Sequence, residues 1–409
     1  MSGLINIASM ILALYRNAFR NLQRNAWILS ISMFINRSGS MVLLFTSLYL
    51  TNELNYSISD AGIIMSFYGI GSVLGSYTGG WLTDRRNYFD IMIFSLVTSG
   101  LILLLMLVAT SMIFLCAVIF LYAYAADMFR PANSAAIAAY STPENRTRSV
   151  SLARLAINLG FSVGPAAGGF IAHYLGYKWL FVIDAFTSFG AALMLYIYLP
   201  KEKYVASPHK DAVLGDSRTS AYRDVRYLFF ILLVALYGTC FFQLFASVPQ
   251  YFSKVSHYTE DVIGLLLALN GLLVVVIEMP LIASLEKRKK IFPFIIAGAL
   301  SLPLAFGILK VGGGLMLWAI VYTIVITISE IFAMPFMMNY SLTRPRKERQ
   351  GQYSALYSIA FGLAIIAAPS LGLGIADKYG FDTLFIFLIS LGFVVALGFA
   401  ALSRKENTI

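Results

Sequence analysis

The chain has 409 residues, 59% hydrophobic and only 12% charged, with a formal net charge of +10. That is too few charges to coat a soluble globule, and the basic excess is not gathered into the single face or stripe that nucleic-acid binding requires. His173, His209 and His257 show no zinc spacing, and no Gly-rich phosphate loop ends in Lys-Ser or Lys-Thr, so neither metal-dependent chemistry nor direct ATP drive has support.

In chain order, residues 1–25 come first and contain LYRNAFRNLQRN, with Arg16, Arg20 and Arg24 four apart. One basic face predicts an amphipathic helix lying in a membrane interface. A cleaved signal peptide is not expected, because the short apolar part precedes the basic residues. Twelve apolar runs of about 20 residues follow, each able to span a bilayer. They are Trp27–Leu50, Ala61–Leu82, Ile91–Thr110, Met112–Tyr140, Val150–Tyr174, Trp179–Leu199, Tyr227–Phe252, Val262–Leu285, Ile291–Leu309, Leu315–Tyr340, Tyr353–Ala376 and Thr383–Leu402. Hydrocarbon offers no water to backbone groups, so runs of this length are predicted as helices. Cys116 and Cys240 both fall inside predicted spans and read as small, reduced apolar residues.

The placement of Lys and Arg orients the chain. With the N-terminus in the cytoplasm, 23 of the 30 fall in the tails, loops and linker on that side. Lys178, Lys254, Lys310 and Lys378 fall outside, and Arg37, Arg130 and Arg154 lie within apolar runs. This is the positive-inside bias, and it predicts that both termini and the segment 201–226 are cytoplasmic. The lean loops suit a bacterial inner membrane.

The chain also repeats. Shifted by 202 residues, NYSISDAGIIMSFYG falls on HYTEDVIGLLLALNG; shifted by 204, PENRTRSVSLARLAINLGFSVGP falls on KERQGQYSALYSIAFGLAIIAAP. The matched stretches include polar loops, so shared hydrophobicity alone does not explain them. The predicted fold is an all-α membrane protein of twelve transmembrane helices in two six-helix pseudo-repeats. Its segments are an N-terminal piece (1–25), a first bundle (26–200), a linker (201–226), a second bundle (227–403) and a tail (404–409). Parallel repeats of this kind place substrate near the midplane, between them.

With these features the sequence resembles the major facilitator superfamily over nearly its whole length. GGWLTDRRN between spans two and three is similar to that family's loop motif, through Gly80, Leu82, Asp84, Arg85 and Arg86. The family pattern continues with Gly and further basic residues, whereas this chain has Asn87, Tyr88 and Phe89. In span five NLGFSVGPAAGG resembles the proton-antiporter signature through Gly160, Gly164, Pro165, Gly168 and Gly169. Glycines four apart allow close helix approach, and Pro165 removes a backbone donor and permits a bend.

Glu330 and Pro335 in span ten, followed by a basic loop, resemble the drug-efflux branch. The proton-coupled peptide transporters share that Glu and Pro, and also resemble FRPAN (Phe129–Asn133) and INLG (Ile157–Gly160). Their acidic motif in span one is not reproduced: Met33 and Asn36 precede Arg37 where glutamates would stand. The two branches imply different cargoes.

Charged side chains within spans are costly and rare, so each is a functional candidate. Arg37 lies near the middle of span one; Asp127 and Arg130, three apart, share one face of span four, within pairing reach. Arg130 and Arg37 together are expected to keep Asp127 ionised. That network is either structural or offers surplus guanidinium to an anionic or carboxylate-bearing substrate. Arg154 and Asp184 lie nearer span ends and are expected to be structural.

Glu278 in span eight and Glu330 in span ten have no cation in their own bundle's spans. Burial favours the neutral form of such a carboxyl, which makes Glu330 the first candidate proton carrier, Glu278 the second and Asp127 the third. Asn36, Tyr237, Gln243, Asn270, Tyr353 and Tyr357 are the polar candidates for lining a substrate cavity with Arg37 and Arg130. Phe332, Met334, Phe336, Met337 and Met338 around Glu330 could form an adaptable wall, or simply pack.

The expected function is proton-coupled secondary transport by alternating access, with drug or metabolite efflux first and uptake of short peptides or similar zwitterions second. No enzyme activity is expected, and no cofactor beyond the proton as coupling ion. The expected partners are a small-molecule substrate and the lipid bilayer, not nucleic acid, with the chain acting as a monomer.

Overall fold

The computed structural model describes residues 22–39, 41–142, 146–201, 221–285, 291–344 and 350–406. The expected amphipathic face at Arg16 and Arg20 and most of the expected linker lie outside the described residues. Among the described residues, twelve helices are long and apolar enough to cross a membrane. In chain order they are α1 (Arg24–Glu53), α2 (Ile58–Thr83), α3 (Tyr88–Leu105), α4 (Met112–Ala139), α5 (Arg148–Tyr174) and α6 (Tyr177–Tyr198). The series continues with α7 (Val225–Lys254), α8 (Glu260–Glu278), α9 (Phe292–Gly312), α10 (Met316–Thr343), α11 (Gln352–Tyr379) and α12 (Phe381–Arg404).

Local chemistry starts and stops them. The Ser57 hydroxyl accepts the Asp60 N–H ahead of α2, the Asn87 side chain accepts the Phe89 N–H ahead of α3, and Asp224 accepts the Tyr227 N–H ahead of α7. Each satisfies a donor that the first helical turn leaves open. At the far end of α9, Gly313 takes φ 56°, the left-handed conformation that stops a helix at little cost when no Cβ is present. Large apolar side chains such as Ile113 and Val311 remain exposed on the outer surfaces, where hydrocarbon replaces water as the favourable neighbour. Because successive helices alternate in direction, one face of the bundle carries Arg24, Arg85, Arg86, Arg148, Arg344 and Arg404. We call it the basic face, and the opposite one the far face.

Three helices depart from the continuous runs expected from sequence. In α1 the helix is regular over Arg24–Ser38, passes Gly39, and resumes over Met41–Leu48 before a π turn at Tyr49–Glu53. In α7 it is regular over Val225–Phe241, tightens to a 3-10 turn at Phe242–Leu244, and resumes over Ser247–Lys254. Pro249 has no N–H for the Phe245 carbonyl, which accounts for the second break. The two breaks correspond: the 202- and 204-residue shifts that align the repeats carry position 39 onto 241 and 243, at the end of the first α7 segment and within its 3-10 turn. The third break, at Met128 in α4, follows from Pro131, whose missing N–H leaves the Asp127 carbonyl without its helical donor.

Small residues set the close crossings. A Cβ on Gly160 would meet Arg37 Cβ at 2.7 Å, one on Gly164 would meet the Ser38 carbonyl oxygen at 2.5 Å, and one on Gly168 would meet Met41 Cβ at 2.7 Å. That stripe therefore presses α5 against α1. The opposite edge of α5 meets α8: a Cβ on Gly169 would strike the Glu260 carbonyl oxygen at 2.4 Å, and one on Gly264 the Pro165 carbonyl oxygen at 2.3 Å. A second seam joins α2 to α11, where a Cβ on Gly62 would lie 2.7 Å from the Pro369 carbonyl oxygen and Ser66 donates to the Ile366 carbonyl at 2.8 Å. The first six helices thus meet the last six along α5/α8 and α2/α11.

The far face is also stitched by polar contacts. Gln250 Nε2 donates to Thr51 at 3.0 Å, and the Tyr177 hydroxyl donates to Glu260 Oε1 at 2.5 Å. His173 Nδ1 lies 3.6 Å from Glu260 Oε2. Toward the basic face, an ion pair between Arg154 and Glu278 crosses between α5 and α8.

Candidate transport site

Two polar constellations lie at mid-membrane depth, one in each set of six helices. In the first, Arg37 Nη2 on α1 donates to Asp127 Oδ1 on α4 at 3.2 Å, with both side chains largely buried. Sequence spacing predicted Arg130 as the partner of Asp127. The break at Met128 instead puts Asp127 and Arg130 on different helical segments, and the pairing goes to Arg37. Arg130 remains within the electrostatic reach of Arg37 and Asp127, with its residue exposed rather than packed.

Among the described residues, several buried polar atoms nearby have no hydrogen-bond partner: Arg37 Nε, Asn36 Oδ1, and both Nδ2 and Oδ1 of Asn133. A buried, unpaired polar atom costs free energy, so these atoms are suited to a ligand. Asn36 and Arg37 were expected here. Asn133 was not among the candidates, although FRPAN contains it; its burial at 0% exposure was invisible in a run of apolar neighbours.

In the second constellation, Asn270 Nδ2 on α8 donates to Glu330 Oε2 on α10 at 3.0 Å and to Thr327 Oγ1 at 3.0 Å. Among the described residues no Lys or Arg lies within ion-pair distance of Glu330. The companion expectation fails for Glu278. Its cation comes from the other set of helices: Arg154, which sequence position had marked as snorkelling to the membrane surface, pairs with it. The two residues are 124 apart in the chain, which is why spacing along one helix could not reveal the pair.

The remaining candidates divide. Tyr357 donates to the Met334 carbonyl at 3.3 Å and stays partly exposed beside α10. Tyr237 is fully buried and its hydroxyl is committed to Ser329 on α10. Gln243 sits in the α7 break, donating to the Thr239 and Ala368 carbonyls and accepting from the Ser247 hydroxyl at 2.7 Å. Those two residues hold helices together rather than line a cavity, because their polar atoms are already spent.

Tyr353 belongs to another cluster, at the basic face. Arg344 grips Asp224 through Nε at 2.7 Å and Nη2 at 2.9 Å, and the Tyr353 hydroxyl donates to the same carboxylate at 3.0 Å. Partial burial pushes the Asp224 carboxyl up, but the hydrogen bonds and charge of Arg344, with the Tyr227 N–H and Tyr353 hydroxyl, hold it below the usual carboxylate range.

This twelve-helix scaffold, with charged groups at mid-depth between two repeats, matches the family model described as Major Facilitator Superfamily over residues 29–369. The chain belongs to the major facilitator superfamily. It is a transporter family, and the protein is a multi-pass membrane transporter rather than an enzyme. Among its relatives is an uncharacterised MFS-type transporter of Bacillus subtilis, YqjV, 23% identical over 391 residues, which cover 93% of this chain and 94% of YqjV. Multidrug resistance protein 2 of the same organism is 24% identical over 356 residues, covering 84% of this chain and 86% of its own. A POT family transporter crystallised with a thioalcohol-conjugated peptide superposes with TM-score 0.82 at 14% identity, covering 95% of this chain and 97% of that one. The nucleoside transporter NupG superposes with TM-score 0.75 at 15% identity, covering 93% of this chain and 100% of that one. At such identities the shared property is the fold.

Asp84 caps α2 with its N–H on the Gly80 carbonyl, and Arg85 lies over the Trp81 ring at 4.1 Å. The close packing in the GGWLTDRRN motif falls on Gly79, next to Gly80. A Cβ on Gly79 would lie 2.7 Å from Met128 Cα, whereas one on Gly80 would meet nothing nearer than 4.0 Å. Arg86 closes the turn through its N–H to the Leu82 carbonyl. Pro335 sits within α10, where it leaves the Ile331 carbonyl without a helical donor one turn from Glu330.

Proposed function

We propose that this transporter is driven by the proton gradient, works by alternating access, and exports drug-like or metabolite molecules by antiport. Glu330 carries the reading. It is a carboxyl at mid-depth in α10, held by the Asn270 amide and unmatched by any cation among the described residues. A carboxyl so placed changes charge when its surroundings change from dry to wet. A group that can be neutral in one state and ionised in another couples proton binding to the state that is populated. The Arg154–Glu278 pair on one side and the Glu260 contacts on the other are the links that the two sets of helices would exchange as they rock.

Export is supported by curated relatives whose names are multidrug resistance proteins, among them the B. subtilis protein above. We place the working protein as a monomer in a bacterial plasma membrane, with both termini cytoplasmic and the proton as its coupling ion. A second reading, proton-coupled uptake of short peptides or similar zwitterions, is favoured by one observation. Arg37 has an unsatisfied Nε, and Arg130 lies beside it without an ion-pair partner among the described residues. Two guanidinium groups and one carboxylate leave a net positive charge for a substrate carboxylate.

The test is a substrate panel in proteoliposomes with an imposed proton gradient, measured in both directions, beside equilibrium binding. Glu330→Gln keeps shape and hydrogen bonding but removes the titrating proton. Gradient-driven transport should fall about tenfold or more while binding survives and loses much of its pH dependence. Normal gradient-driven transport by Glu330→Gln would remove this residue from the proton pathway.

A further inference from the structure

The proton pathway through Glu330 leaves a buried carboxyl, Asp184, unused. Asp184 on α6 is 2% exposed, and the Tyr122 hydroxyl on α4 donates to its Oδ2 at 3.1 Å. Its other oxygen lies against the break in α1, where a Cβ on Gly39 would come within 1.9 Å of Asp184 Oδ1. Among the described residues no Lys, Arg or His lies within ion-pair distance of it.

The neighbouring helices supply no cation to Asp184 among the described residues. From α1 the nearest charge is Arg37, which is given to Asp127. From α4 come Tyr122 and Asp127, and from α2 comes Tyr68, whose ring centroid is 6.3 Å from that of Tyr122. Tyr68 lies within the electrostatic reach of Asp127, Arg37 and Asp184 at once. The charged or titratable residues of α3 and α5 stand toward their ends: Tyr88 and Asp90 on α3, and Arg148, Arg154, His173 and Tyr174 on α5. On α6 itself Lys178 is six residues away and is paired with Glu53 at 3.5 Å.

The corresponding break in α7 shows what a fixed structural filler looks like. There Gln243 occupies the gap, and its neutral amide is satisfied by two carbonyls and a hydroxyl. The α1 break is filled by a carboxyl whose neighbours are hydroxyls, Tyr122 on α4 and Thr187 on α6 itself, with no cation among the described residues. An isolated carboxylate there would cost several kcal/mol, and a neutral amide would serve a merely structural purpose better.

We propose that Asp184 is a second proton-exchanging carboxyl, in the first six helices, joined through Tyr122 and Tyr68 to the Arg37–Asp127 pair. In the state described here the carboxyl carries its proton and packs against Gly39. Movement of the two α1 segments about that glycine opens the site to water, and the proton leaves to it. The exchange is a transfer between a carboxyl and water, with no other reactant. The role deepens the proton-coupled reading and rests on it, but the protonation itself is measurable without substrate.

The experiment is a pH titration of the whole protein in lipid nanodiscs, followed by infrared spectroscopy with aspartate carboxyls isotopically labelled. The wild type should show the C=O stretch of a protonated aspartic acid at neutral pH. Asp184→Asn should abolish the band, Asp127→Asn should retain it, and Tyr122→Phe should shift its frequency and midpoint by removing the hydroxyl that binds the carboxyl. Asp184→Glu serves as a second variant if Asn impairs folding, and should move the signal from aspartic to glutamic acid. A wild type with no protonated-aspartate band, or an Asp184→Asn band identical to the wild type, overturns the proposal. Failure of Glu330→Gln to affect transport would instead strike the reading of Glu330, because the infrared signal does not depend on turnover.

Discussion

Asp127 reaches across to Arg37 rather than along its own helix to Arg130, and this changes which double substitution should compensate. Asp127→Asn leaves Arg37 buried without a counter-charge, a loss of about 3–5 kcal/mol for a fully buried pair and less where water enters. Adding Arg37→Gln removes the orphaned charge, so the apparent Tm in detergent should fall in the single variant and recover most of the loss in the double. Adding Arg130→Gln to Asp127→Asn should not recover it, because Arg130 is not the paired cation. Recovery by the Arg130 double, with none by the Arg37 double, would restore the pairing expected from sequence. Glu278 follows the same logic: removing Arg154 should be harmful alone and milder with Glu278→Gln, since the two form one inter-helix pair.

The elements are held by contacts that leave little room for adjustment. Gly264→Ala would drive a methyl into the Pro165 carbonyl at the α5/α8 crossing, whereas Gly190→Ala would meet nothing within 4 Å. We expect the first to open the crossing and expose far-face cysteine reporters to a membrane-impermeant reagent, and the second to behave as wild type. Equal labelling of the two variants would mean that the crossing accommodates the added methyl without opening. At the opposite end, Asp224 ties the start of α7 to Arg344 after α10 and to Tyr353 at the start of α11. Its carboxyl is held below the usual range in the folded protein, so its stabilising contribution is complete above the pKa of the unfolded chain. That contribution is lost as pH falls through the lower, folded value. Apparent Tm should therefore drop in the acid range for the wild type and vary less with pH in Asp224→Asn, which should start lower at neutral pH.

Across the whole molecule, Glu260 is where the far face is fastened: it accepts the Tyr177 hydroxyl and faces His173, and its backbone meets Gly169. Glu260→Gln should weaken this fastening without touching the mid-membrane charges. Spin labels placed on the far ends of α5 and α8 should then report a broader or longer distance distribution, while Glu330-dependent binding is kept. An unchanged distribution would show that the helix crossings and the Gln250–Thr51 contact close that face without Glu260. The same labels decide sidedness, since an impermeant reductant should reach far-face sites from outside the cell and sites beside Arg404 only from within. Labelling of both from one side would overturn the orientation read from the basic residues.

How much of this was legible in the sequence depended on the range of the interaction. Span number and helical character follow from hydrocarbon thickness and from the need to pair every backbone group within its own segment. These are local requirements, so runs such as Met112–Tyr140 were readable to within one or two residues of α4. The glycine stripe of α5 was legible as a close crossing, because small residues four apart leave a groove on one helix face. What that groove holds was not: Gly164 receives α1, while Gly169, five residues on, receives α8. The partners of charges were hidden for the same reason. Arg37 with Asp127 and Arg154 with Glu278 are 90 and 124 residues apart, and nothing local to either partner encodes the other. Glu330 could be marked from sequence, because a charge in an apolar run is conspicuous wherever it points. Asp184 could be seen as readily, but its burial against the Gly39 break is a property of two helices packed together, and only the tertiary structure decided it.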